Sequence, residues 1–150
     1  GMSSQLFQEV REKRGLVYSI YSYASLYREV GYVGVYAGVG KEGLRECVDV
    51  TLAELGRVRK GEFDSGSLER IKTQIKGQLL LGMESTFNIM QKLAKDEFLH
   101  GRSVPLEEVV ANFEAVKLDD VVRMADDIYS EKNLSLTLLG PAPAADSLIS

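Results

Sequence analysis

The side chains that most often perform nucleophilic or metal chemistry are scarce in this sequence of 150 residues. His100 is the single histidine and Cys47 the single cysteine. One copy of the chain therefore forms no disulfide, no cysteine-based metal cage and no two-histidine metal site. His100 ends a predicted helix, where a surface or capping role is expected rather than a place in a catalytic triad. Cys47 lies in an apolar helical pattern, which predicts a buried structural thiol.

Two other motifs have chemical potential but a simpler explanation. The acidic pairs lie at helix starts or on polar helical faces, where solvation and the helix dipole account for them: Glu107 with Glu108, Asp119 with Asp120, and Asp126 with Asp127. The segment "GVGKEG", Gly38 to Gly43, follows a predicted strand and precedes a helix, as a phosphate loop does. It lacks the Gly-Lys-Ser/Thr ending and the G-x-G-x-x-G spacing, so nucleotide binding is not expected.

The charge balance disfavours two classes of partner. The formal net charge is −4, whereas proteins that bind nucleic acid or anionic membranes usually carry a basic excess. The exception is a local basic cluster formed by Arg11, Lys13 and Arg14. No apolar run approaches the length of a membrane span, and the first residues do not resemble a signal peptide. We therefore expect neither a nucleic-acid nor a membrane partner.

Hydrophobic periodicity positions these residues on a series of helices and strands. Ser3 or Ser4 is predicted to cap a helix that runs to about Lys13 and ends at Gly15. The later elements are predicted as strands over 17–27 and 32–39, a helix over 44–58, a helical pattern over 68–100 with a break near Gly82, helices over 105–115 and 118–129, and a last strand over 134–138.

Tyrosines are concentrated in the predicted hairpin. Six of the seven lie at positions 18, 21, 23, 27, 32 and 36. The β-propensity of tyrosine is a sufficient explanation for most of them. A face made of Tyr and Gly could also hold an extended peptide as an added strand.

The order of elements predicts an α+β fold, a two-layer sandwich in which helices cover one face of a mostly antiparallel sheet. Residues 1–140 are predicted to form the domain and residues 141–150 a tail. No strand precedes the leading helix, which predicts that the domain is truncated at its N-terminus. Such a truncation would expose an apolar sheet edge and favour self-association.

The opening residues "GMSSQLFQEVREKRGLVYS" carry a specific resemblance. They are similar to the block M-S-S-R-L-F-x-x-V-R-E-x-x-G-L-x-Y-S in the second domain of the inverted-zinc-motif metallopeptidases, the family of pitrilysin, insulin-degrading enzyme and mitochondrial processing peptidase. Gln5 is the main departure, because arginine is usual there. The resemblance extends through "GYVGVYAGV", "LERIKTQIKGQLLLGMES", "FEAVKLDDVVRMA" and "LSLTLLGP" and covers about 140 residues.

The resemblance implies part of a mechanism. In the family, a first domain holds zinc through an H-x-x-E-H helix and a distant Glu, and the facing domain supplies an Arg and a Tyr seven residues apart. Arg11 and Tyr18 match that pair, and Phe7 matches a neighbouring family position. An Arg guanidinium can bind peptide carbonyls or a carboxylate, and a Tyr hydroxyl can donate to a carbonyl oxygen that gains charge. The alternative is a solvated helix arginine and an ordinary strand tyrosine.

The leading helix contains no histidine, so the inverted zinc motif is not present in it. The chain alone is therefore expected to bind no zinc and to lack peptidase activity, with zinc held by a homologous companion domain on the same polypeptide or a second subunit. The leading hypothesis is a fragment of a zinc metallopeptidase that helps to enclose the substrate chamber and bind peptide. The alternatives are a non-catalytic scaffold or core subunit of the same family, and a module that binds peptide or nucleic acid through the basic cluster and the hairpin. The sequence leaves open the substrate, the bacterial compartment (cytoplasm or periplasm), and whether Gly1 is native.

Overall fold

A computed structural model describes residues 4–64, 66–141 and 147–148. Within these ranges the chain is α+β, as predicted, with an antiparallel pair of strands and five α-helices: β1 (Val17–Leu26), β2 (Gly31–Val39), α1 (Leu44–Arg59), α2 (Ser67–Gly82), α3 (Thr86–His100), α4 (Leu106–Ala115) and α5 (Leu118–Ile128). A π-helix, Phe7–Glu12, precedes β1, and short 3-10 turns span Lys41–Gly43 and Glu131–Asn133. The chain divides into two compact units, Gly1–Glu62 with Val122–Ser150, and Phe63–Val121.

The core of the first unit lies between one face of the hairpin and two helical segments. Phe7 and Val10 of the π-helix, Val17 and Ile20 of β1, and Cys47 of α1 form one buried cluster. Partly buried residues of β2 and α1 pack against this cluster: Val35, Ala37, Val39 and Val50. The predicted helical layer over one face of the hairpin is therefore present in this unit, and Cys47 is the buried thiol that the sequence predicted. Burial raises the pKa of that thiol.

Val10 is the side chain on which this core most depends. Its exposed fraction is 0%. We expect Val10→Ala to lower the free energy of unfolding by about 2 kcal/mol, because two buried methyl groups are lost and a cavity remains. Chemical denaturation followed by circular dichroism measures the change. The exposed Val30→Ala is the matched control, and equal losses for the two variants would contradict the assignment of Val10 to the core.

The predicted last strand is wrong for the described residues. Residues 134–139 follow the Glu131–Asn133 turn without joining the sheet, which consists there of β1 and β2. The side chains still alternate, since Leu136 and Leu138 are half-buried while the residues between and beside them are exposed. A period-two pattern reports which side chains are buried, whereas a strand also needs a neighbour that accepts its backbone hydrogen bonds. This segment has no such neighbour in the described part of the chain.

The second unit contains the predicted helix break. The α2 helix ends at Gly82 and α3 begins at Thr86. The Ser85 hydroxyl caps α3 by accepting from the Asn88 backbone N–H at 3.4 Å, and the Asn88 side chain donates to the Gly82 carbonyl at 3.0 Å. The break confirms the prediction at Gly82. The α4 helix begins at Leu106, one residue later than predicted, so Pro105 precedes this helix instead of being its first residue.

Asp96 of α3 is hydrogen-bonded to the loop that follows this helix. It is buried, it accepts a hydrogen bond from the Val104 backbone N–H at 3.0 Å, and it pairs with Lys92. The Lys92 ammonium also donates to the Val104 carbonyl at 2.5 Å. Hydrogen bonding to Lys92, and then to the Val104 N–H, lowers the pKa of Asp96.

This lowered pKa predicts an acid-dependent stability. The folded-state pKa lies below the unfolded value, so the carboxylate stabilises the fold above about pH 4, and this stabilisation is lost as the pH falls through the folded-state pKa. We expect Asp96→Asn to lower Tm by a few degrees at neutral pH and to flatten its decline under acid. Thermal unfolding measured across acidic pH tests this, with the exposed Asp119→Asn as control. Parallel Tm profiles for wild type and Asp96→Asn would show that the lowered pKa does not contribute to stability.

The predicted tail is only partly described. Leu148 is buried, and the Arg45 guanidinium of α1 donates to the carbonyl of the exposed Ser147 at 2.6 Å, so this part of the predicted tail is bound to α1. Residues 142–146 and 149–150 lie outside the described residues, as does the predicted cap Ser3. The assignment of residues 1–140 to one domain stays a prediction. None of the described helices has the length and apolar character that crossing a bilayer requires.

Candidate functional site

The segment that carries Arg11 is a π-helix rather than the predicted α-helix. The Lys13 N–H donates to the Gln8 carbonyl, five residues earlier, at 3.0 Å. The Ser4 hydroxyl accepts from the Phe7 N–H at 3.4 Å, which confirms one of the two predicted caps. An apolar spacing of four residues occurs in both helix types, so the sequence pattern did not distinguish them. Single π-turns are uncommon and are found frequently at functional sites.

The π-helix ends at Glu12, one residue before the predicted end, and Gly15 then turns the chain into β1, as predicted. Gly15 has a φ of +62°, a left-handed conformation that favours glycine. The Gly15 N–H donates to the Arg11 carbonyl at 2.9 Å, and the Leu16 N–H donates to the Val10 carbonyl at 3.1 Å. These two bonds fold the start of β1 back along the π-helix. They explain how Tyr18 comes close to Arg11.

The structure brings together the three site residues that the sequence analysis proposed. The Arg11 guanidinium carbon lies 5.0 Å from the centre of the Phe7 ring and 6.0 Å from the centre of the Tyr18 ring. Both distances fall within the range of cation–π attraction. Phe7 is anchored in the core, whereas Arg11 and Tyr18 are exposed. The arginine is therefore oriented by two aromatic rings while its outer face remains open to solvent.

Arg11 is also the unneutralised cation of the basic cluster. Glu9 pairs with the other two members, through Lys13 Nζ at 2.5 Å and Arg14 Nη1 at 2.8 Å. These hydrogen bonds, that of Lys13 first, lower the pKa of the Glu9 carboxyl. Among the described residues no carboxylate forms an ion pair with Arg11. Its charge is thus available to a ligand. The i,i+4 spacing of Glu9 and Lys13 is a sequence signal for the first of the Glu9 pairs, whereas the pair with Arg14 depends on the turn that follows the helix.

Tyr18 occupies an irregular position in its strand. Val17 lies opposite Val39 and Ser19 opposite Gly38, so Tyr18 is the additional residue of a β-bulge. The bulge shifts the alternation of β1, because Val17 and Ile20 are both buried although they are three residues apart. Bulges redirect side chains and are common beside active sites. The exposed fraction of Tyr18 is 86%, so its hydroxyl is free to meet a ligand.

The arrangement can donate hydrogen bonds to oxygen but offers no metal ligands. A guanidinium and a phenol hydroxyl are both donors, and a guanidinium binds carboxylate or carbonyl oxygen in a charge-assisted manner. Within the described residues no group of three or more His, Cys, Asp or Glu side chains could hold a metal ion. The chemistry that this site supports is recognition of a polar, oxygen-rich group such as a peptide backbone.

Four tyrosines form an ordered surface on the opposite face of the hairpin. Tyr21 stacks on Tyr36 with ring centres 5.1 Å apart, and Tyr23 meets Tyr32 edge-on at 6.0 Å. The Tyr23 ring lies directly over Gly34, where a Cβ would approach within 2.5 Å. Cross-strand aromatic packing accounts for this surface, in agreement with the β-propensity interpretation.

The remaining candidates show no reactive arrangement. His100 lines a cleft of about 350 Å³ in the second unit, together with Lys92 and Asp96. The charged groups of Lys92 and Asp96 pair with each other, and both also form hydrogen bonds with the Val104 backbone. In the "GVGKEG" segment, Gly40 is extended and Lys41–Gly43 form a 3-10 turn, without the open Gly-rich loop that phosphate binding needs.

Comparisons with known proteins identify the family of this chain. The model of the family described as "Peptidase M16 inactive domain" matches residues 1–75. YmxG, an uncharacterized zinc protease of Bacillus subtilis, is 37% identical over 141 residues, which cover 94% of this chain and 34% of that protein. The chain therefore spans about a third of the length of this curated relative.

Solved structures share the fold. A conserved protein from Enterococcus faecalis matches with a TM-score of 0.72 at 25% identity, over 84% of this chain and 29% of that one. A protease from Helicobacter pylori matches with a TM-score of 0.68 at 26% identity, over 85% of this chain and 31% of that one. Family model, relatives and structures coincide with the resemblance of the opening motif, and the chain belongs to the M16 metallopeptidase family as its inactive, C-terminal type of domain.

Proposed function

We propose that this chain completes the substrate chamber of a zinc-dependent peptidase and presents Arg11 and Tyr18 to a peptide bound at the zinc site of a companion domain. The observation that supports this most directly is the Arg11 guanidinium, which two aromatic rings orient and which no carboxylate neutralises in the described residues. An ordinary surface arginine on a helix that also carries Glu9 and Glu12 would more simply pair with an acid.

Arg11 and Tyr18 have different roles in this proposal. Arg11 binds a carbonyl or carboxylate oxygen of the peptide and so orients the backbone, as charge-assisted hydrogen bonds do. Tyr18 donates from its hydroxyl to the oxygen of the scissile carbonyl, where negative charge grows as the bond is attacked. Phe7 contributes by holding the guanidinium in place, because its ring is fixed in the core.

Zinc belongs to the companion domain in this scheme, since the described residues of this chain offer no set of ligands for it. When bound there, zinc activates water and polarises the carbonyl. The companion is a homologous M16 domain, either on the same polypeptide or on a second subunit. By itself the chain is expected to hold no zinc and to cleave no peptide.

A reconstitution experiment tests the proposal. The chain is combined with a zinc-bearing M16 domain, on one polypeptide or by co-expression, and cleavage of a fluorogenic peptide library is measured with and without the chain. We expect cleavage to require both components and to be lost on chelation of zinc. Zinc near one per chain in the purified 150-residue protein, retained through mild chelation, would overturn the assignment of zinc to the companion.

The experiment also separates the proposal from the scaffold alternative. A scaffold domain would support cleavage equally well after Arg11 or Tyr18 is replaced, because only its packing surfaces would matter. The single replacements are therefore decisive, and their expected effects are argued in the Discussion.

A further inference from the structure

Glu9 lies in the π-helix that carries Arg11 and pairs with the two residues that follow this helix. Its carboxylate accepts from Lys13 Nζ at 2.5 Å and from Arg14 Nη1 at 2.8 Å. The same Arg14 nitrogen donates to the Glu9 backbone carbonyl at 2.7 Å. The Glu9 side chain thus joins the middle of the π-helix to the two residues that follow the helix. The Glu9 backbone carbonyl accepts its hydrogen bond from the Arg14 side chain.

Glu9 is unusual among the acids of this segment because it is buried, with an exposed fraction of 9%. A buried carboxylate is tolerated when its partners satisfy it, and here both partners are cations. Lys13 and Arg14 are exposed, so water alone would solvate them. The main effect of the pairing is therefore to fix the position of the Glu9 carboxylate and the geometry of its turn, because the two cations are solvated without it.

The pairing has two consequences for Arg11. It stabilises the wide turn whose carbonyls at Val10 and Arg11 accept from Leu16 and Gly15, the bonds that return the chain towards Tyr18. It also engages the one buried carboxylate of the turn, which therefore does not pair with Arg11, and it gives the two neighbouring cations a carboxylate partner. Arg11 is left as the cation that a ligand would meet.

We propose that Glu9 is a positioning residue: through its ion pairs with Lys13 and Arg14 it maintains the π-helical geometry that places Arg11 over the Phe7 and Tyr18 rings. The inference rests on the proposed function for its catalytic consequence, but its structural part stands on the geometry of this chain alone. Glu9 touches no substrate in this scheme and acts only through Arg11.

The test measures position and activity separately. In the 150-residue chain, the side-chain protons of Arg11 should show upfield ring-current shifts in NMR spectra, caused by Phe7 and Tyr18. We expect Glu9→Gln to abolish most of these shifts. In the reconstituted peptidase it should lower kcat/KM by no more than the ten- to hundredfold expected for Arg11→Ala, with KM raised and kcat lowered as in that variant, because Glu9 acts only through the orientation of Arg11.

Glu46→Gln is the matched control. Glu46 is an exposed carboxylate that approaches the same Arg14 at 3.9 Å, so this variant makes the same charge change beside the same cation and leaves the Glu9 pairs intact. It should change neither the ring-current shifts nor kcat. If Glu9→Gln does not fold, Arg14→Gln replaces it, since that variant removes the donor to the Glu9 carbonyl and leaves Lys13 to pair with the carboxylate. The same loss of shift is expected.

Unchanged ring-current shifts in a folded Glu9→Gln or Arg14→Gln variant would overturn the positioning role, whatever the activity. A loss of shift that is matched by Glu46→Gln would also overturn it, because the effect would then be one of charge alone. Failure of the proposed function has a different signature: the shifts are lost in Glu9→Gln, but Arg11→Ala leaves cleavage unchanged.

Discussion

Replacing Arg11 with alanine is expected to lower kcat/KM for peptide cleavage by about ten- to a hundredfold in the reconstituted peptidase, the cost of a hydrogen bond from a charged donor. The variant removes the one guanidinium of the segment that lacks a carboxylate partner in the described residues. Because that group binds the peptide in the ground state and more strongly in the transition state, KM should rise and kcat should fall. Steady-state kinetics with a fluorogenic peptide measure both constants.

Arg28→Ala is the matched control for this variant. Arg28 is an exposed arginine in the turn between β1 and β2. Its replacement by alanine removes the same charge from the same unit. Its kinetics should equal those of the wild type. Arg11→Lys is informative as well, since lysine keeps the charge but not the planar fork, and an intermediate rate is expected. Equal rates for Arg11→Ala and Arg28→Ala would rule out a role of Arg11 in binding peptide.

Tyr18→Phe is expected to lower kcat by about a hundredfold, the typical effect of removing one donor to a developing oxyanion. The variant keeps the ring that Arg11 contacts and deletes only the hydroxyl, so KM should change little. The contrast with Arg11→Ala is the diagnostic feature, because one variant should act mainly on kcat and the other on both constants.

Tyr27→Phe is the corresponding control. Tyr27 is an exposed tyrosine just beyond the end of β1, and its hydroxyl is not part of the site. If Tyr18→Phe and Tyr27→Phe both retained the wild-type kcat, the Tyr18 hydroxyl would have no part in stabilising charge. Together with an unaffected Arg11→Ala variant, that result would favour the scaffold alternative.

The two roles also predict how the variants combine. Arg11 and Tyr18 are in contact, so their effects should not be additive, and the double variant should lose less than the product of the single losses. A site whose members act as one arrangement behaves in this way. Independent surface residues would give strictly multiplicative losses.

The pairing of Glu9 with Lys13 and Arg14 bears on the remaining alternative, a module that binds peptide or nucleic acid through the basic cluster. Lys13 and Arg14 share the buried Glu9 carboxylate, and Glu46 also approaches Arg14, so Arg11 is the one cation of the cluster that lacks a carboxylate partner in the described residues. Affinity for a polyanion increases with the number of phosphates neutralised. The observed pairing therefore favours recognition of a single oxygen-bearing group over binding along a charged backbone.

Much of the local structure followed from the sequence, because it depends on neighbouring residues. Gly15 turns the chain after the first helix since glycine accepts a positive φ, and Ser85 caps the helix after the break at Gly82. The spacing of apolar side chains located all five α-helices and both strands of the hairpin to within about two residues. The family resemblance selected Arg11, Tyr18 and Phe7, which composition and periodicity alone did not.

Tertiary structure decided the features that depend on partners distant along the chain or on exact backbone geometry. The alternation over 134–138 has the period of a strand, yet pairing needs a neighbour, and the described residues provide none. The π-helical turn and the bulge at Tyr18 each add one residue to a regular element, a change that leaves the hydrophobic pattern nearly intact and so gives no clear signal in the sequence. The contacts of Arg11 follow from both irregularities. The sequence by itself determined which site residues are present and the family to which the chain belongs. Packing decided that Glu9 pairs with Lys13 and Arg14 and that the Arg11 guanidinium lies close to the Phe7 and Tyr18 rings.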